Sequence, residues 1–121
     1  MSLGVDEGLP SNDVEVLFED SDGRLWAGTS EGLAQIIDDK VVAVFGETQG
    51  LPGRRVRAIV EAPDRTLWVG LFDGGLSNYN GTSWKSIDAE DDGLKALVNE
   101  LAFDTEGTLW VGTPFGLNTF D

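Results

Sequence analysis

The 121-residue chain contains neither cysteine nor histidine. Without cysteine there is no disulfide and no thiol nucleophile, and without histidine the most common general base and the most common zinc ligand are both missing. Long apolar runs are also missing, because no segment approaches the roughly 18 apolar residues that a membrane span needs. The sequence has no basic segment followed by an apolar run, which is the pattern that predicts a signal peptide. We therefore expect no cofactor, no bound metal and no membrane insertion.

Basic residues are scarce. Eight lysines and arginines stand against 22 aspartates and glutamates, which gives a formal net charge of −14. Such a surface repels phosphate backbones and anionic membranes, so nucleic-acid binding is not expected. The simplest interpretation of the charge is solubility. A preference for cationic or neutral ligands, or for Ca²⁺, is the alternative.

A sequence motif that occurs three times is the strongest structural signal in the chain. Trp26, Trp68 and Trp110 stand 42 residues apart, each preceded by leucine and followed two residues later by glycine. A fixed period of about 20–50 residues is typical of a solenoid, a propeller or a repeat array. We divide the chain, as a single partial domain 1–121, into repeats 8–49, 50–92 and 93–121, with residues 1–7 as the end of a preceding fourth strand.

Each full repeat contains four short strand signals separated by turn residues. In repeat one they cover residues 14–19, 25–29, 33–37 and 41–45. The second strand is apolar on both faces, as in a sheet that is covered on both sides. Glycines after each tryptophan mark a close backbone approach, and Gly32, Gly74 and Gly116 are predicted to take positive φ in the next turn. The prediction is an all-β fold of four-stranded antiparallel β-propeller blades, about three per chain.

The motif LW-x-GT-x-x-GL resembles the two-component regulator propeller repeat. It reads LWAGTSEGL from Leu25 and LWVGTPFGL from Leu109, whereas repeat two has Leu71 for the threonine, Arg65 for a turn glycine, and Gly75 as an insertion. The resemblance implies a sensor propeller of the kind found in hybrid histidine kinases, with a periplasmic or extracytoplasmic location. It also implies ligand contacts on the face where the loops between blades meet the turns between second and third strands.

Three blades cannot close a ring, because known propellers have about four to eight. Two copies joined head to tail would supply six blades, and the first residues of one copy could add an outer strand to the last blade of the other. We predict this homodimer. Three copies with nine blades, or a fragment of a longer propeller, are the alternatives.

The candidate ligand residues lie in the loops and turns of that face. Aromatic loop residues can stack on a sugar ring or cap neighbouring blades. The arginines at 54, 55 and 57 can grip a carboxylate or pair with the acidic run 88–92. That run could hold Ca²⁺ with oxygen ligands but is better explained as a solvated acidic loop. The segment that begins at Asp20 resembles the start of a calcium loop but lacks the full spacing, so it is better explained as a turn. The predicted ligand-binding residues are Asn12, Glu31, Arg54, Arg55, Phe72, Asp73 and Phe115.

The function predicted from these observations is a noncatalytic ligand-binding or sensor-type propeller module. Its ligand would be an extracytoplasmic small molecule or oligosaccharide. The alternative is a scaffold propeller that binds other proteins and no small ligand. A lyase or glycosidase is disfavoured, because the chain lacks histidine and cysteine and no carboxylate pair is distinguished from the others.

Overall fold

The computed structural model describes residues 1–87 and 97–120. The described residues form three antiparallel sheets, each built from strands that follow one another in the chain. The strands of the first sheet are β1 Val14–Glu19, β2 Leu25–Thr29, β3 Gly32–Ile37 and β4 Lys40–Phe45; those of the second are β5 Val56–Glu61, β6 Leu67–Leu71, β7 Gly75–Tyr79 and β8 Trp84–Ile87; and those of the third are β9 Glu100–Phe103, β10 Leu109–Thr113 and β11 Gly116–Phe120.

The sheets are the blades of a partial propeller, which we call blade one, blade two and blade three. In each blade the strands lie in chain order from one edge to the other. The first strands pack side by side, β1 next to β5 and β5 next to β9. The all-β fold class and the blade architecture predicted from the repeat are confirmed, and the strands of repeat one begin within one residue of their predicted starts.

The core lies between neighbouring blades. Between blades one and two, Trp26 and Leu33 pack against Val56, Ile59 and Leu71. The second interface repeats this arrangement, with Leu76 of blade two packed against residues of blade three, namely Val98, Leu101, Leu109 and Val111. Because burial of one such side chain contributes about 1.5–3 kcal/mol, the blades are stabilised mainly by stacking on one another.

A glycine in the second strand of each blade makes room for the next blade. A Cβ placed on Gly28 would lie 2.7 Å from Val56 Cγ1, and a Cβ on Gly70 would lie 3.1 Å from Val98 Cβ. Such close approach leaves no space for a side chain. The glycines that follow Trp26 and Trp68 are therefore notches, which receive Val56 and Val98 of the next blade.

The turn after β6 corrects one prediction. Gly32 and Gly116 have the expected positive φ, at +138° and +132°, but Gly74 does not. In repeat two it is Gly75 that has a positive φ, +81°, and Gly75 pairs with Leu71 as Gly32 pairs with Thr29. The inserted residue is thus Gly74 within the turn, and not Gly75.

The structure of residues 1–7 also differs from the prediction. Residues 1–7 form no strand, and Val5–Glu7 are a 3-10 turn. Gly4 and Gly8 flank this turn with φ of −146° and +111°, and Gly46 and Gly50 flank the equivalent turn after β4 with φ of −144° and +108°. The connection between blades is therefore already present before blade one, and only residues 1–3 correspond in position to the end of a fourth strand.

An aspartate holds the tryptophan in blades one and three. Asp20 accepts hydrogen bonds from Trp26 Nε1 at 3.0 Å and from the backbone N–H groups of Asp22 and Arg24. Asp104 does the same for Trp110 Nε1 at 2.9 Å. Burial alone would raise the pKa of Asp20, but these donors outweigh it and the pKa lies below its ordinary value of 3.8. In repeat two Ala62 takes this position, so Trp68 lacks the partner.

Replacing Asp20 by asparagine is expected to lower the free energy of unfolding at pH 7 by about 1 kcal/mol, the usual net value of a hydrogen bond. The folded-state pKa of Asp20 is depressed, so its contribution is present above the unfolded-state pKa and is lost as the pH falls through the folded-state pKa. Urea unfolding between pH 7 and pH 2 should therefore show a smaller acid-induced loss in Asp20→Asn than in the unsubstituted chain. Glu19→Gln, at an exposed carboxylate of β1, serves as the control; equal slopes for the unsubstituted chain and Asp20→Asn would contradict the assignment.

Candidate functional site

The loop face is the side of the blades where the loops before the first strands meet the turns after the second strands. In blade one the N–H of Ser30 donates to Asp13 O at 3.1 Å, and the hydroxyls of Ser11 and Ser30 lie 3.0 Å apart. In blade two the N–H of Phe72 donates to Arg55 O at 2.8 Å. These bonds fix each loop on its turn, so the side chains of the loop face are held by rigid strands.

Asp73 holds the loop that precedes β5 in blade two. Its carboxylate accepts hydrogen bonds from the backbone N–H groups of Arg54, at 3.1 Å, and Arg55, at 3.0 Å. The inserted Gly74 packs against the same loop, since a Cβ on it would lie 2.8 Å from Pro52 O. The three-residue turn of blade two thus presents Arg54 and Arg55 to solvent.

A cluster of two arginines, one glutamate and one phenylalanine lies where blades one and two meet. Arg55 Nε donates to both carboxylate oxygens of Glu15, at 2.9 and 3.1 Å. Arg57 Nε is 4.0 Å from the same carboxylate. Both guanidinium groups lie over the ring of Phe72, 5.5 Å from its centroid for Arg55 and 4.9 Å for Arg57. The hydrogen bonds to Glu15 raise the pKa of Arg55 above its ordinary value, so its guanidinium stays charged.

Equivalent positions at or just before the first strands of the three blades converge on one cleft. Glu15 and Arg57 are each the extra residue at a register shift, between Val14 and Val16 in β1 and between Val56 and Ala58 in β5. Bulges of this kind re-aim a side chain and are frequent near functional sites. The cleft has a volume of about 300 Å³, and its lining comprises Glu15, Val16, Arg57, Ala58, Ile59, Asn99, Glu100 and Leu101. We call it the first-strand cleft.

The residues predicted from the sequence separate into two groups. Glu31 and Arg54 form an exposed ion pair, with 3.7 Å between Arg54 Nη1 and Glu31 Oε2. Arg55, Phe72 and Asp73 contact one another as described above. The structure therefore brings five of the seven predicted residues to the junction of blades one and two.

Asn12 and Phe115 lie outside that junction. Asn12 Oδ1 accepts a hydrogen bond from the N–H of Val5 at 2.8 Å, which holds the first 3-10 turn. Phe115 occupies the turn of blade three and is 79 % exposed. Within the described residues no hydrogen bond or ion pair joins either of them to the other five.

Within the described residues, the acidic partners of Arg54, Arg55 and Arg57 are Glu15, Glu31 and Glu47. The predicted acidic partner, residues 88–92, lies outside the described residues. The turn that begins at Asp20 binds backbone N–H groups and an indole, which agrees with its interpretation as a turn. No group of three or more carboxylates placed to hold a metal ion is found in residues 1–87 and 97–120.

Sequence reasoning missed Glu15, Asn99 and Glu100. A signal for the first two was present, because the position shared by residues 15, 57 and 99 carries glutamate, arginine and asparagine. The preceding position is valine in all three repeats, at Val14, Val56 and Val98. A change of charge directly after a constant valine marks the residues that face the cleft.

No helix in the part of the chain that the structure describes has the length and apolar character needed to cross a membrane.

Solved structures with the same architecture include an extracellular domain of a two component system and two lyases. The extracellular domain described as part of a hybrid two component system of B. thetaiotaomicron matches with a TM-score of 0.85 and 24 % identity, over 100 % of this chain and 17 % of that one. A catalytically inactive virginiamycin B lyase from Staphylococcus aureus, solved with quinupristin, matches with a TM-score of 0.67 and 15 % identity, over 89 % and 41 % of the two chains. A streptogramin B lyase gives 0.63 and 13 %, over 86 % and 39 %.

These neighbours establish the propeller fold. The chain spans less than half the length of each of them. A search of the curated proteins found no match. At the level of sequence families, residues 8–31 and 50–73 match the two component regulator propeller. Both segments begin at the Gly-Leu-Pro that opens a repeat and end in the turn after the second strand. These two segments therefore match repeats of the two component regulator propeller type.

Proposed function

We propose that the chain is a noncatalytic ligand-binding module of a sensor-type propeller, which recognises an extracytoplasmic small molecule or oligosaccharide at the first-strand cleft. The observation that supports it is the convergence of Glu15, Arg57 and Asn99, from equivalent positions of three blades, on that cleft. The extracytoplasmic setting is supported by the likeness to an extracellular sensor domain.

The chemistry of the cleft favours a ligand rich in hydroxyl groups. Arg55 takes both oxygens of Glu15, which leaves Arg57 with one long contact to that carboxylate. The guanidinium of Arg57 and the amide of Asn99 offer donors, whereas Glu15 and Glu100 offer acceptors. A hydroxyl group both donates and accepts, so neighbouring hydroxyls of a neutral sugar suit this mixed set. The net charge of −14 opposes a polyanionic ligand.

The proposed activity is ligand binding without catalysis. The Staphylococcus aureus lyase is catalytically inactive when one histidine is replaced by alanine, and the 121 residues here include no histidine. They cannot supply that group to a reaction.

Thermal unfolding with a panel of neutral di- and trisaccharides tests the proposal. At a sugar concentration 100 times its dissociation constant, binding adds about 2.7 kcal/mol to the free energy of unfolding. We expect at least one sugar to raise the Tm of the unsubstituted chain and Arg57→Ala to abolish that rise. Circular dichroism of Arg57→Ala without sugar checks that the blades still form.

Two further arginine variants sharpen the test. Arg65→Ala is the matched control, because Arg65 is exposed and pairs with Asp22 in the turns after the first strands. It should leave the Tm rise unchanged. Arg54→Ala tests the loop residues predicted from the sequence. A loss confined to Arg54→Ala would move the site from the cleft to the outer loops, and no rise with any sugar would favour the scaffold alternative.

A further inference from the structure

The outer face of blade three is exposed where its counterparts in blades one and two are buried. Trp110 is 38 % exposed, whereas the equivalent Trp26 is 2 % exposed. Leu117 is 65 % exposed, whereas Leu33 and Leu76 are 0 % and 1 % exposed. Leu33 and Leu76 are covered in part by the next blade and in part by Phe45 and Ile87, their cross-strand neighbours in their own blade. The face of blade three that a further blade would cover is exposed.

The outer face of blade one shows the complementary exposure. Val14 is 41 % exposed, whereas Val56 and Val98 at the same position are 0 % exposed. Leu17 is 61 % exposed, and its counterpart Ile59 is 5 % exposed. Blade one thus displays the side chains with which blades two and three cover their neighbours.

The notch at Gly112 is empty. A Cβ on Gly112 would have no neighbour nearer than 3.8 Å, whereas the notches at Gly28 and Gly70 are filled by Val56 and Val98. An apolar cleft of about 120 Å³ lies at this notch, lined in part by Trp110 and Leu117. By the pattern of the two interfaces within the chain, the side chain that fits it is Val14 of another blade one.

We propose that a second copy of this chain docks head to tail, with its blade one on blade three, and that the same contact repeated in the other direction closes a ring of six blades. The partner is a copy of this chain because both interfaces already present in the molecule are formed by these repeat positions. A head-to-tail contact closes into a ring when its rotation suits the number of copies. The proposal rests on the propeller architecture and not on the ligand.

A disulfide across the new contact tests the proposal, since the chain has no cysteine of its own. In the internal notch a Cβ on Gly70 lies 3.1 Å from Val98 Cβ, a few tenths of an ångström below the roughly 3.5 Å at which disulfides begin. Val14→Cys and Gly112→Cys are prepared separately, mixed and oxidised. We expect a cross-linked pair from the mixture and none from either variant alone.

The mass in solution, measured by light scattering without any sugar, completes the test. We expect twice the chain mass of 13.0 kDa. Val14→Asp should reduce the mass to that of one chain, whereas Val5→Asp should not, because Val5 is exposed and its equivalent Glu47 stays exposed inside the chain. Tryptophan fluorescence confirms that both variants are folded.

A single-chain mass for the unsubstituted protein would overturn the proposal, and so would three copies or an open polymer. A failure of sugar binding in a chain of double mass would overturn the proposed function and leave the ring intact.

Discussion

Replacing Leu76 by alanine is expected to lower the free energy of unfolding by about 2–5 kcal/mol, the range for removing a buried leucine side chain. Leu76 is 1 % exposed and packs on Val98, Leu101 and Val111 across the boundary between blades two and three. The loss should be large because stacked blades relax little around a cavity. Urea unfolding followed by tryptophan fluorescence measures it.

Leu117→Ala is the matched control, because Leu117 has the same position in blade three and is 65 % exposed. Both substitutions are placed in a Val14→Asp background, so that a second copy cannot cover Leu117. The control should then change the free energy of unfolding by less than about 0.5 kcal/mol, as exposed positions do. Equal losses at the two positions would show that blade three is not an open face.

Gly70→Val is the second substitution with a large expected effect. The added side chain would occupy the space of Val98, whose Cβ lies 3.1 Å from where a Cβ on Gly70 would be. Overpacking of a filled core costs about 1–3 kcal/mol and occasionally more, and we expect a value at the upper end because Gly70 lies within β6 and Val98 is fully buried. Thermal and urea unfolding in the Val14→Asp background would measure it.

Gly112→Val provides the comparison at the same position of the motif. A Cβ on Gly112 would meet nothing nearer than 3.8 Å in the isolated chain, so the stability of the Val14→Asp chain should be nearly unchanged. In the chain with native Val14 the same substitution should fill the notch and prevent assembly. If Gly112→Val destabilises the isolated chain as much as Gly70→Val does, the notch is not empty and the proposed contact fails.

The two proposals meet at the first-strand cleft. In a single chain the cleft is lined by residues of β1, β5 and β9 and by Asn99, which precedes β9. A ring of two copies would place a second cleft opposite the first. A sugar that binds both would link assembly to recognition, because each copy would complete the surroundings of the other.

The sequence determined the blades because strand formation follows from a local and repeated pattern. The LW-x-G phrase, its leucines and the turn residues between strands suffice to predict four strands per repeat, and β1 and β2 have the predicted bounds. The repeat even overrides a local departure. Arg65 stands where the other repeats have Gly23 and Gly107, and it takes the same left-handed backbone with φ of +72°.

The contacts between blades were decided only by the tertiary structure. That Glu15 would pair with Arg55, 40 residues away, depends on how two sheets stack and on a bulge that turns one side chain toward the cleft. Whether Gly74 or Gly75 is the insertion depends on strand register, which a pair of adjacent glycines leaves open. Local pattern specifies which residues form strands. Which side chains meet depends on the packing of surfaces that lie far apart in the chain, and a repeat of nearly identical units does not reveal it.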